Sequence, residues 1–80
     1  MNREELTEIV QQVIAESIGS ETELDPDFML LESGLIDSVT ILQIFLSLQS
    51  ETGLALDAED ITEETFESPN SIVAMLQAKQ

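Results

Sequence analysis

Asp37 and Ser38 stand together in the segment Ser33-Gly34-Leu35-Ile36-Asp37-Ser38-Val39, where a turn signal gives way to the densest apolar run of the chain. A hydroxyl at the very start of a helix is exposed and faces backbone N–H groups that have no partner within the helix. Those donors and the positive end of the helix dipole both favour negative charge, so the chemistry such a serine suits is carrying a covalently attached phosphate. The plainer reading is a helix cap, because Asp and Ser are both enriched at helix starts. Taken alone, the pair supports the cap first.

Other candidate chemistry is scarcer. The acids Asp57, Glu59, Asp60, Glu63 and Glu64 invite a calcium site, but the calcium loop of helical hands needs a central Gly and a closing Glu. No Gly follows Gly53, so no dedicated metal site is expected. Paired carboxylates for glycoside chemistry need a sugar-sized cleft, and the only aromatic residues are three Phe, which are more simply core. With no Cys and no His, thiolate nucleophiles, zinc–thiolate sites and the commonest general base are all missing. No catalytic residue is assigned, and the chain is not expected to be an enzyme.

Composition narrows the partners. The 80 residues make one domain, 1–80, and 42% hydrophobic residues suit a folded chain. Seventeen Asp and Glu against two Lys and Arg give a net charge of −15. Phosphate backbones need a basic stripe, and only Arg3 and Lys79 are basic. Nucleic acid is therefore excluded, and an anionic membrane surface is disfavoured. Basic docking patches on other proteins suit this field better. The apolar run from Val39 to Leu48 is interrupted by Thr40, Gln43 and Ser47 and is too short to span a bilayer. No signal peptide pattern opens the chain, so a cytoplasmic monomer without membrane insertion is expected.

The elements that must position Ser38 are helical. Leu6, Ile9, Val10, Val13, Ile14 and Ile18 recur at helical spacing, with Glu4, Glu5, Glu8, Gln11, Gln12 and Glu16 on the other face. Gly19-Ser20 ends this helix. Residues 20–37 lack periodicity and form a long loop, of the kind that is usually functional or partly structured. Its Phe28, Leu30, Leu31, Leu35 and Ile36 are expected to pack back on the bundle. A short helical turn is expected over residues 26–30, with Asp25 as cap and Pro26 at its first position. Asp37 or Ser38 opens a second helix that Gly53 stops. Ile41, Ile44, Phe45 and Leu48 fit one buried stripe, while Val39, Leu42 and Leu46 form an apolar strip in need of a partner. Residues 57–66 predict a short helical turn or two, with Ile61 and Phe66 pointing inward. Ser68 caps a last helix that Pro69 opens and that buries Ile72, Val73 and Leu76, with Met75 nearby. The predicted fold is all-α: a four-helix bundle of three main helices and one short one, with a long first loop.

In the order of these helices, the stretch Gly-Leu-Ile-Asp-Ser-Val over residues 34–39 and the Ser68-Pro69 start of the last helix, the chain resembles the acyl carrier protein family, including its peptidyl and D-alanyl branches. The resemblance covers essentially the whole chain. It implies an acyl-carrier-like bundle whose Ser38 bears 4′-phosphopantetheine in phosphodiester linkage. It further implies that Asp37 helps a carrier protein synthase recognise the site and place its metal ion near the phosphate. Gly34 and Leu35 would shape the loop before the serine. Val39 and Leu42, extended by Leu46 and with Leu35 beside them, would present the apolar contact to partner enzymes. Those partners would be a phosphopantetheinyl transferase, an acyl- or aminoacyl-activating ligase, and a downstream transferase or synthase. The thiol of such a group carries the chemistry, so a carrier needs no Cys, His or base of its own.

The acids are unevenly spread: nine in residues 1–32, two in residues 33–52 and six in residues 53–80. Bacterial fatty-acid carriers usually place several acids along the second helix. Here Gln43, Gln49 and Ser50 occupy much of that face, and Glu51 is the only acid after Asp37. This departure leans toward a specialised carrier docked through apolar contacts. Leu35-Ile36-Asp37-Ser38 and Ser68-Pro69-Asn70 look similar to D-alanyl and other amino-acid carriers, and the short, acidic format also suits polyketide or specialised lipid pathways. The alternative is an acidic interaction or inhibitor module that works without a cofactor.

Overall fold

The computed structural model describes residues 1–20 and 23–80. Glu21 and Thr22, part of the predicted first loop, lie outside the described residues. Local sequence sets the limits of α1, Arg3–Ile18. Asn2 caps it: its Oδ1 accepts from the Glu5 N–H at 2.8 Å, and Glu5 Oε1 accepts from the Asn2 N–H at 3.4 Å. This reciprocal pair satisfies two donors that a helix start leaves open. At the other end Gly19 takes φ 72°, a left-handed conformation that costs least in a residue without Cβ.

Asp37 caps α2, Ser38–Thr52, and Gly53 ends it. A 3₁₀ turn spans Ala58–Asp60. Ser68 caps α3, Pro69–Lys79, and Pro69 occupies its first position, where a missing N–H does no harm. No strand occurs among the described residues. The fold is the expected all-α bundle, with the short element reduced to the 3₁₀ turn.

Helix α1 packs against both α2 and α3. Leu6, Val10 and Ile14 of α1, Ile44 and Leu48 of α2, and Ile72 and Leu76 of α3 form one core, which Leu30 and Phe66 close from the connecting segments. Each fully buried side chain of this size contributes about 1.5–3 kcal/mol. The predicted α2 stripe holds, with Ile41 half-buried at its edge.

Three expectations are corrected. Residues 26–30 form no helix. A helix would need the Leu30 N–H to reach the Pro26 carbonyl, but both groups are engaged by the start of α3. The Leu30 N–H donates to the Glu67 carbonyl at 2.8 Å, and the Pro26 carbonyl accepts from the Asn70 N–H at 2.9 Å. Asp25 instead makes a tight turn, its Oδ1 accepting from the Asp27 N–H at 2.8 Å. Second, Ile61 does not point inward: it is exposed, because the 3₁₀ turn directs Asp60 to Lys79 and leaves Ile61 on the outer side. Phe66 is buried as expected. Third, Gln11 belongs to the buried face of α1, not to its polar face. Its Nε2 donates to the Leu24 carbonyl at 2.8 Å and its Oε1 accepts from the Leu24 N–H at 3.0 Å. One side chain thereby replaces a backbone partner and ties the first loop to α1.

Candidate functional site

The loop reaches the head of α2 through a second turn. The Ser33 N–H donates to the Met29 carbonyl at 3.0 Å and the Gly34 N–H to the Leu31 carbonyl at 3.1 Å. Ser33 Oγ fixes the same turn, donating to the Leu30 carbonyl and accepting from the Leu35 N–H. Gly34 then takes φ 79°, which a residue with Cβ rarely adopts. This reversal leaves Leu35 exposed and lets Ile36 enter the core. Phe28 and Leu31 are half-buried and Leu30 is fully buried, so most of the loop packs back as expected. Leu35 does not.

At the helix start the roles of the pair separate. Asp37 is the cap and Ser38 the first helical residue. Asp37 Oδ1 accepts from the Thr40 N–H at 2.9 Å and from the Thr40 hydroxyl at 3.0 Å, while the Asp37 carbonyl accepts from the Ile41 N–H at 2.9 Å. These donors hold the Asp37 carboxyl below its ordinary value, the Thr40 N–H first and the Thr40 hydroxyl second. Ser38 is exposed. The Ser38 hydroxyl is thus presented to solvent at the positive end of α2, beside an ionised carboxylate.

Next to it runs the apolar strip: Val39 is 66%, Leu42 51% and Leu46 57% exposed, with Leu35 at 37%. All four residues of the expected partner surface lie outside the core. The rest of the bundle leaves this strip uncovered.

The remaining polar groups serve the fold. Lys79 Nζ lies 3.0 Å from Asp60 Oδ2 and 3.5 Å from Asp57 Oδ2. The Asp57 N–H bond and then Lys79 lower the Asp60 carboxyl, and Asp60 in turn raises the Lys79 ammonium. Arg3 donates to Gln77 Oε1 at 2.7 Å and to Asn70 Oδ1 at 3.0 Å. Both basic side chains therefore hold α3 in place. Among the described residues no group of three His, Cys, Asp or Glu is placed to hold a metal ion, and no helix is long and apolar enough to cross a membrane. An open hollow of about 620 Å³ runs along Glu8, Gln12, Ala15, Glu16 and Glu23; no residue of α2 lines it.

A helical bundle with a long first loop that turns through Gly34 into an Asp-Ser helix start has the architecture of an acyl-carrier-type protein. The family described as "Phosphopantetheine attachment site" matches residues 4–76, and the chain belongs to that family. It is 31% identical over 72 residues to a D-alanyl carrier protein of Lacticaseibacillus casei (strain BL23), covering 89% of each chain. To a D-alanyl carrier protein of Leuconostoc citreum (strain KM20) it is 29% identical over 76 residues, covering 95% of this chain and 92% of the relative. The full 80 residues align with D-alanyl carrier protein 1 of Lactiplantibacillus plantarum at 24% identity. The chain is accordingly a carrier protein rather than a catalyst, and its prosthetic group is a covalently attached 4′-phosphopantetheine. A carrier of this kind is served by a phosphopantetheinyl transferase and by ligases.

The head of α2 fits that group. It offers an exposed hydroxyl at the positive end of a helix, with no acid in the first turn itself and the Asp37 carboxylate at the cap bonded to Thr40. The Thr40 amide is not among the donors free to meet a phosphate, since Asp37 holds it.

Proposed function

We propose that residues 1–80 form one carrier domain whose Ser38 is the attachment residue, and that it holds a D-alanyl or similar small aminoacyl group as a thioester. The observation that carries this reading is the exposed Ser38 hydroxyl at the first position of α2, immediately after the Asp37 cap. In the attachment reaction Ser38 Oγ bonds to the pantetheine-side phosphorus of coenzyme A, adenosine 3′,5′-bisphosphate leaves, and the hydroxyl proton passes to the transferase. When bound, the group supplies a thiol on a long flexible arm that accepts the cargo from an ATP-dependent ligase. The chain's own residues do the rest. Asp37 presents an ionised carboxylate to the transferase, and Gly34 and Leu35 shape the approach to the serine. Leu35, Val39, Leu42 and Leu46 form the contact for ligase and downstream transferase. The relatives named as D-alanyl carriers support a small amino-acid cargo over fatty acyl, polyketide or peptidyl chains. So does the scarcity of acids along α2. The setting is cytoplasmic, where coenzyme A and ATP are at hand.

Incubation with coenzyme A and a broad-specificity phosphopantetheinyl transferase tests the attachment residue. Intact-mass spectrometry is expected to show one added phosphopantetheinyl group on the wild type and none on Ser38→Ala, with unchanged helical circular dichroism. Labelled Ser38→Ala protein moves the site elsewhere. Loading of the modified protein by a D-alanine-activating ligase tests the cargo.

A further inference from the structure

We propose that Thr40 is a positioning residue for the attachment reaction: its hydroxyl and its backbone N–H grip one oxygen of Asp37 and fix the orientation in which that carboxylate meets the transferase. The inference rests on Ser38 being the attachment residue. Its warrant is the geometry at the head of α2. An ordinary N-cap carboxylate accepts one or two first-turn amides and is otherwise free to rotate about its Cβ–Cγ bond. Here Oδ1 accepts from the Thr40 N–H at 2.9 Å and from the Thr40 Oγ1 hydroxyl at 3.0 Å. Two donors from a single residue converge on the same oxygen, and Thr40 makes no bond to the other. Exchanging the two oxygens would require both bonds to break together. A helical Thr has two favoured rotamers about Cα–Cβ, and the bond to Oδ1 selects one of them, so the hydroxyl and the carboxylate hold each other.

The consequence is one of preorganisation. Ser38 lies between the two partners in sequence, with Asp37 before it and Thr40 two residues beyond. A carboxylate held in one orientation presents the same face to an approaching enzyme in every encounter. A rotating one must be ordered during binding, and that ordering weakens recognition. The same two donors stabilise the ionised form, which is the form able to attract a basic or metal-bearing transferase surface. Thr40 is itself half-buried, so its role runs through Asp37 and not through a contact of its own.

The test is transferase kinetics on the full chain with coenzyme A as donor. Thr40→Val keeps the shape and the capping N–H and removes only the hydroxyl. It is expected to raise the KM for the carrier protein about 5-fold, the scale of ordering one freed side chain on binding. The KM for coenzyme A and the kcat should stay within about two-fold. Thr40→Ser, which keeps the hydroxyl and loses the methyl, restores the wild-type KM even though it packs less well. Thr40→Ala reproduces the Thr40→Val effect should the valine variant fold poorly. Kinetics of Thr40→Val equal to wild type, or a serine variant as impaired as the valine one, overturn the role of Thr40 while Ser38 remains labelled. A wild-type chain that the transferase leaves unmodified overturns the attachment reading itself and this inference with it.

Discussion

At the level of single residues, side chains that look interchangeable in sequence do different work. Gln11 and Gln12 are neighbours of identical type, yet Gln11 is buried and bonded to both backbone groups of Leu24, whereas Gln12 is exposed. Removing a side chain that satisfies two partly buried backbone groups leaves both without their protein partner, at about 1–3 kcal/mol. Gln11→Ala is therefore expected to lower the unfolding free energy measured by urea titration by that amount, while Gln12→Ala stays within about 0.5 kcal/mol; equal effects would contradict the bonding. Asp37 supplies a second expectation. Its carboxyl is held below the ordinary 3.8 by Thr40. A carboxyl depressed in the folded state stabilises the fold above its unfolded value and loses that contribution as pH falls through its folded value. The amide resonance of Thr40 should thus titrate with a midpoint below 3.8. A midpoint above that value would mean that the bond to Asp37 does not form in solution.

At the level of elements, the helices could be read because their limits are written locally. Asn2, Asp37 and Ser68 cap, Gly19 and Gly53 terminate, and the apolar spacing between them selects the buried face. The Asp-Ser start of α2 and its exposed strip were legible for the same reason. What escaped was decided by partners distant in sequence. The expected helix over residues 26–30 gives way because its N–H and C=O groups bond to residues 67 and 70. Ile61 turns outward because a 3₁₀ turn is anchored by Lys79 from the far end of α3. Nothing in the local pattern marks either pairing. Thr40 directly follows the Asp-Ser-Val stretch, but its grip on Asp37 depends on a side-chain rotamer that residue type does not specify. The division between packed and free apolar residues on α2 gives a further prediction. Leu42→Glu alters a side chain that the core does not use, so at about 0.15 M salt, where the added charge is largely screened, its melting temperature should change little, whereas loading by the activating ligase should fall at least about ten-fold, as at a central interface position. Phe66→Ala should do the reverse of the first effect and destabilise the fold by about 3–5 kcal/mol. Should Leu42→Glu melt far below wild type, the strip belongs to the core and cannot be the docking surface.

For the molecule as a whole, charge is the dominant unbalanced force. The chain carries −15 within principal extents of 29 × 24 × 19 Å. Both basic side chains are already engaged, Lys79 with Asp57 and Asp60, and Arg3 with Gln77 and Asn70. Added salt acts on two opposing terms. It weakens the two Lys79 pairs, in which Lys79 and Asp60 are partly buried and Asp57 is exposed, and it weakens the mutual repulsion of seventeen carboxylates. Repulsion has far more members, so its relief should win. The range of the interaction sets where the change occurs. The screening length is about 30 Å at 0.01 M salt and about 8 Å at 0.15 M. At the lower concentration each acid feels nearly the whole molecule; at the higher one it feels only its neighbours. The melting temperature should therefore climb steeply between these two concentrations and flatten beyond them. A gain of roughly 1 kcal/mol corresponds to about 4–8 °C for a domain of this length. Calorimetry across a sodium chloride series measures the climb, and Lys79→Met sharpens the test. With one cation removed the net repulsion grows, so the variant should show a steeper salt dependence than wild type. A fall in melting temperature with salt, or a flatter curve for Lys79→Met, would mean that the ion pairs on α3 outweigh the repulsion and that the acidic surface is not what limits this fold.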